Sequence, residues 1–231
     1  MRIRWFGQSA FWLAEGAISV VIDPFGPMEK LTERGLRFAY LPIRGVAADL
    51  VLITHEHVDH NAAAVIGGTP LVIRATAGTF TSPVGEVTAI ASEHDDAAGT
   101  RRGPNTIFVF ALGEWRLCHF GDFGQRELRP EQATAIGRPD LVFLPVGGGP
   151  TLDGVAAAKI AQTLNPRWVV PMHYRTEAIN FLEPVDAFLG QFRQAQIRRL
   201  PRSEFDTGDV PERTGAPIMV VPAPPAGPTV P

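Results

Sequence analysis

Residues 54–60 read Thr-His-Glu-His-Val-Asp-His, directly after the apolar run Leu50-Val-Leu-Ile53. Three imidazoles and a carboxylate within six positions make a cation-binding set. Imidazole nitrogen with carboxylate oxygen suits zinc and other divalent transition metals. Side chains two apart in an extended segment face the same side, so His55 and His57 can close on one ion. Asp59 and His60 fall where the chain turns toward a helix and can aim at a second position. A polar loop with incidental histidines is the competing explanation, and it leaves this density at the end of a buried strand unexplained.

The segment supplies at most four ligands, so a two-ion site must draw on distant residues. Of the six histidines, the other three are His94, His119 and His173. His94 lies in Ser92-Glu-His-Asp-Asp96, Asp122 in Phe120-Gly-Asp-Phe-Gly124, and His173 in Pro171-Met-His-Tyr174. Each follows an apolar, strand-like run, and ligands at the same ends of several strands can be gathered into one site. His119 alternates with Leu117 and Trp115, which reads as a core position or a support for a ligand rather than a ligand. Asp23, before Pro24, reads as a turn carboxylate or a support for a ligand. Asp95 and Asp96 read as solvated or supporting carboxylates, and Cys118 as a buried strand residue. Gly147-Gly-Gly149 lacks the Gly-Lys-Ser/Thr of a phosphate loop and reads as a tight turn. Arg101 and Arg102 could engage an anionic substrate, although exposed turn charges are usually just solvated.

The elements that must position these residues follow from the pattern. Strands are expected at 2–6, 10–14, 18–22, 49–54, 71–74, 87–90, 107–111, 115–120, 141–144, 168–172 and 218–221. Leu112-Gly-Glu114 marks a hairpin. Helices are expected at 130–136, 152–164 and 185–195, with first helical turns at 61–66 and a short helix near Met28 to Gly35. The early half is strand-rich and the later half alternates strand and helix. That implies two sheets with helices outside, in one α/β domain over residues 1–221. The uncharged tail 222–231 holds five prolines and is expected to be disordered.

With 231 residues, 45% hydrophobic and 19% charged, the chain has a globular composition. A net charge of −3 disfavours a nucleic-acid partner. One cysteine permits no internal disulfide, which fits a reducing compartment. There is neither a signal-like N-terminus nor a run of ~20 apolar residues, so no membrane partner and a cytoplasmic location are expected. The expected partner is a small molecule, and assembly into a homo-oligomer is compatible with all of this.

The order His-x-His-x-Asp-His, then a histidine, then Gly-Asp, then a histidine resembles the metallo-β-lactamase-fold hydrolase superfamily over nearly the whole chain. It looks most similar to the small single-domain branch that includes the ascorbate-phosphate lactonase. Supporting phrases are Trp5-Phe-Gly-Gln-Ser-Ala-Phe11, Ile22-Asp-Pro24, Arg102-Gly-Pro-Asn-Thr106, His119-Phe-Gly-Asp122, Pro145-Val-Gly-Gly148 and Pro171-Met-His-Tyr174. The resemblance implies a four-layer αββα sandwich with two mixed sheets and helices outside. It implies that His55, His57 and His94 hold one ion, that Asp59, His60 and His173 hold another, and that Asp122 bridges them. Two divalent ions, Zn²⁺ foremost with Mn²⁺ or Fe²⁺ as alternatives, would share a bridging water and deliver it as hydroxide to a small ester, lactone or phosphoester. Asp59 would orient that hydroxide, and Tyr174 could donate to the oxyanion. A phosphodiesterase or nuclease is the alternative enzyme, and a non-catalytic metal-binding module the alternative of another class. One departure stands out. Many relatives carry histidine where this chain has Gln8, and glutamine hydrogen-bonds without titrating.

Overall fold

The computed structural model describes residues 1–28, 33, 35–212 and 215–225. A six-stranded sheet is built from β1 (Arg2–Gly7), β2 (Ala10–Glu15), β3 (Ile18–Ile22), β4 (Leu50–Ile53), β5 (Leu71–Arg74) and β13 (Glu204–Asp206), in the order β13-β1-β2-β3-β4-β5. The pairs from β13 to β3 are antiparallel, and β3, β4 and β5 run parallel.

An eight-stranded sheet faces it. Its strands are β6 (Gly78–Ser82), β7 (Gly85–Glu93), β8 (Pro104–Leu112), β9 (Trp115–His119), β10 (Leu141–Pro145), β11 (Trp168–Met172), β12 (Ile197–Arg199) and β14 (Ile218–Val221), in the order β12-β14-β11-β10-β9-β8-β7-β6. Antiparallel hairpins join β6 through β9, and β9, β10, β11, β14 and β12 run parallel. Both sheets are therefore mixed, as expected.

Strand alternation assigns the faces. Ile3, Trp5, Val20, Ile22, Leu50 and Leu52 enter the core between the sheets with Phe11, Phe108 and Phe143. Val21, Val51 and Ile53 point the other way, into a second cluster with Phe25, Tyr40, Ile43, Ile179 and Leu182. Among the described residues this outer cover is largely irregular chain, with a short 3₁₀ turn at Ala63–Val65. The helical cover lies on the eight-stranded sheet, where α1 (Pro130–Ile136) packs on β7 and α2 (Gly154–Leu164) on β10. α3 (Asp186–Leu189) packs on α2. No helix of the described residues is long and apolar enough to cross a membrane.

Several boundaries differ from the sequence expectations. The helix expected over 185–195 ends at Leu189, because Gly190 weakens it and Arg193 is extended (φ −68°, ψ 145°) to lead into β12. The helical turns expected at 61–66 shrink to a 3₁₀ turn at Ala63–Val65, since Ile66 is already extended and Gly67 N–H bonds Val46 O. β6, β12 and β13 had no clear strand signal; they are short or polar and take their order from neighbouring strands. The 152–164 helix begins at Gly154, with Asp153 capping it by accepting from Ala156 N–H. The expected helix near Met28 to Gly35 falls largely on residues outside the described ones, as does the tail beyond residue 225.

Direction is what positions the site. β3 and β4 are parallel, and β7, β9, β10 and β11 also point one way, so the residues after Ile22, Ile53, Glu93, His119, Pro145 and Met172 collect along one edge of the sandwich.

Candidate metal centre

The strand ends of β3 and β4 build one wall. Asp23, fully buried, receives Thr54 N–H on Oδ1 at 2.8 Å and Thr54 Oγ–H on Oδ2 at 2.7 Å. His60 Nδ1 lies 2.9 Å from the same Oδ2, so Nδ1 keeps a proton and Nε2 is the nitrogen that is bare once the ring is neutral. Thr54 spends its hydroxyl proton on Asp23, so it accepts from His55 Nδ1 at 3.0 Å, which leaves His55 Nε2 bare too. One carboxylate thus sets the tautomer of two imidazoles.

The turn after β9 supplies Asp122. Its N–H donates to Asn105 Oδ1 at 3.0 Å, and Ser9 Oγ donates to Asp122 Oδ1 at 3.2 Å. Asn105 Nδ2 in turn holds Phe120 O and Ser92 Oγ, each at 2.8 Å. Gly121 makes this turn possible: its φ is +57°, and a Cβ there would stand 2.4 Å from Asn105 Oδ1 and 2.6 Å from Thr54 Cβ. His119 is a structural pin. Its Nδ1 accepts from Gly121 N–H at 3.1 Å, so its Nε2–H donates to Ser9 O at 3.0 Å.

His94 follows β7 and gives its Nδ1 to Pro150 O at 3.0 Å, again freeing Nε2. His173 follows β11 with a left-handed φ of +50°, and its N–H bonds Gln8 O at 3.2 Å. Gln8 shares that strained φ of +50° and donates its side-chain amide to Asp59 Oδ2 at 3.1 Å.

These walls converge on one atom. Asp122 Oδ2 lies 3.1 Å from His94 Nε2, 3.2 Å from His173 Nε2, 3.3 Å from His60 Nε2 and 3.9 Å from His55 Nε2. Three overlapping groups of donor atoms could each hold an ion: His55–His57–His94, His55–His60–Asp122 and Asp59–His60–His173. The donors fit a metal by another measure. His55 Nε2 and His60 Nε2 are buried without a hydrogen-bond partner, a costly state that a cation would relieve.

Electrostatics agree. Burial works to raise the Asp122 pKa, but the imidazoles of His173 and His60 hold it well below the usual carboxylate range. Burial works to lower His60 and His94, yet Asp122 pulls both above the ordinary imidazole value. Burial, with His60 next, pushes His55 down, and burial and His94 push His57 down.

All seven residues proposed from sequence as ligands stand in this cluster, with the first and last groups divided as the resemblance implied. Asp23 and His119 take the supporting places expected of them. The ring of Tyr174 packs on Trp5, with centroids 5.4 Å apart, in the same buried cluster. Ser9, Thr54, Asn105 and Pro150 were not singled out, although Ser9 and Asn105 stand inside quoted phrases. Beside Pro150 runs a groove of about 590 Å³, lined among others by Arg101, Arg102, Arg126 and Lys159, a volume suited to a small-molecule ligand. Arg101 and Arg126 are paired with Asp96 at 3.2 and 2.9 Å.

Residues 2–173 match the beta-lactamase superfamily domain. The chain is 32% identical to a UPF0173 metal-dependent hydrolase of Methylobacterium nodulans, over 82% of this chain and 91% of that one. It is 31% identical to one of Thermus thermophilus, over 76% and 84%. Among solved structures, a Thermotoga maritima protein described as a candidate Zn-dependent hydrolase of the metallo-β-lactamase superfamily superposes with a TM-score of 0.75, at 29% identity, covering 96% of this chain and 98% of that one. A carboxylate ringed by four imidazoles at the edge of two mixed sheets and these matches agree: the chain belongs to the UPF0173 metal-dependent hydrolase family of the metallo-β-lactamase superfamily.

Proposed function

We propose that this chain hydrolyses a small ester, lactone or phosphoester with the help of two divalent ions, Zn²⁺ foremost. The observation that carries the reading is the convergence of four imidazole nitrogens on Asp122 Oδ2 within 3.9 Å, two of them buried and otherwise unpartnered. His55, His57 and His94 would hold one ion, Asp59, His60 and His173 the other, and Asp122 would face both. Ions held there would lower the pKa of a water toward neutrality and polarise the carbonyl or phosphoryl oxygen next to the atom under attack.

The chain's own residues do the rest. Asp23, Thr54 and Pro150 keep His60, His55 and His94 in the tautomer that offers Nε2. Asp59 is the one partly exposed carboxylate of the cluster, its side chain 18% accessible. It can take a proton from the attacking water and return it to the leaving oxygen, while the water's oxygen bonds to the carbonyl carbon or phosphorus. The groove also holds Asp95, Asp96 and Asp153, and Arg101 and Arg126 are paired with Asp96, so Arg102 and Lys159 are the cations that would meet an anionic substrate. The lactonase-like branch fits these features, and a cytoplasmic location fits the single buried cysteine.

The test is metal analysis joined to turnover of a panel of lactones, thioesters and bis-p-nitrophenyl phosphate. Chelator should abolish turnover, and Zn²⁺ or Mn²⁺ should restore it. Asp59→Ala should lose about 10²-fold or more of kcat. Full activity in Asp59→Ala would remove Asp59 from the reaction. Preference for the phosphodiester would move the reading to a phosphodiesterase, and no turnover with both ions bound would move it to a metal-binding module.

A further inference from the structure

Gln8 is fully buried, yet only half of its amide is satisfied. Nε2 donates to Asp59 Oδ2 at 3.1 Å, while Oε1 has no hydrogen-bond partner among the described residues. Its backbone is equally committed: Gln8 O accepts Trp5 Nε1–H at 3.0 Å and His173 N–H at 3.2 Å, and its φ is +50°. A non-glycine residue in the left-handed region with a buried, unpaired acceptor is doubly unfavourable for folding. An apolar side chain of similar length would fill the same space without the orphaned oxygen. The fold alone does not explain the glutamine.

What Gln8 touches does. Its backbone oxygen ties the main chain of His173, and its side-chain amide holds the carboxylate of Asp59. These are two of the three donors in the Asp59–His60–His173 group. They come from opposite sheets, His173 after β11 and Asp59 after β4. Gln8, in the turn between β1 and β2, is the residue that spans them. We infer that Gln8 is a positioning residue for the second ion: it fixes Asp59 relative to His173, and the chain accepts a stability loss to keep it. The inference rests on the two-ion reading above.

The experiment titrates Zn²⁺ into chelator-stripped protein and follows thermal unfolding of the same samples without metal. The variants are Gln8→Met, which keeps length and loses the donor, and Gln8→His, which restores an N–H donor. Wild type should bind two ions. Gln8→Met should bind the second about tenfold or more weakly, leave the first unchanged, and melt at the same or a higher temperature. Gln8→His should recover part of the second affinity. A purely structural glutamine predicts the reverse: a lower melting temperature with both affinities unchanged or lost together, and either result overturns the inference. Equal affinities for both ions in Gln8→Met and wild type do so as well. Fewer than two ions in wild type would instead overturn the two-ion reading itself.

Discussion

Asp23 Oδ2 lies 2.9 Å from His60 Nδ1 and 2.7 Å from Thr54 Oγ1, so one buried carboxylate orients His60 directly and His55 through a hydroxyl. Asp23→Asn keeps the shape but can turn an N–H toward either neighbour. It should weaken zinc binding by about 10- to 100-fold, which competition with a chromophoric chelator measures. Unchanged affinity would mean that the two imidazoles keep their tautomers without it.

Gly121 offers a second test. Alanine there meets the side chains of Asn105 and Thr54 and takes a strained φ. Gly121→Ala should cost about 2 kcal/mol or more in denaturant unfolding, and it should lower bound zinc, because the same turn carries Asp122. A variant with normal stability and normal zinc would show that the turn can relax.

The pH dependence of metal binding follows from the raised pKa values of His60 and His94. In the metal-free protein these rings keep protons at pH values where ordinary imidazole, near 6.5, has lost them. A cation needs bare Nε2, so binding must release protons. Zinc affinity should therefore keep climbing as pH rises above 6.5, and calorimetry in buffers of different ionisation enthalpy should register proton release at neutral pH. Zinc affinity that is flat above 6.5, with no proton release, would contradict the raised values.

Tyr174→Phe tests the oxyanion role that its place beside His173 suggests. Burial pushes the Tyr174 hydroxyl pKa up, so the group remains a protonated donor at neutral pH. Its ring is committed to packing on Trp5, and kcat should stay within about twofold of wild type. A loss of about 10²-fold would assign the hydroxyl to the reaction.

The residues that gather in the cluster were legible because each announces itself chemically and follows a strand: His55 to His60 after β4, His94 after β7, Asp122 after β9, His173 after β11. The supports were harder to read. Asn105 and Ser9 are ordinary polar residues on a strand start and a turn, and only the folded turn brings them to Asp122. Tyr174 was legible only as a neighbour of His173 in sequence; the fold adds that its ring packs on Trp5. The short β12 and β13 were hidden because three-residue strands take their conformation from their partners. The 185–195 segment misled because Phe188, Leu189 and Phe192 bury an apolar face without continuous helix.

The coil over the outer face of the six-stranded sheet has a consequence of its own. Phe25, Tyr40, Ile43, Ile179 and Leu182 cover that face, and Phe38 and Ile179 pair as an isolated bridge between the two covering segments. None of these residues belongs to the metal cluster, and none sits in a ladder whose register carries a ligand. This cover can thus accumulate substitutions and length changes while the imidazoles stay where the strands put them. Divergence of sequence and length among relatives that keep the histidine cluster should concentrate there.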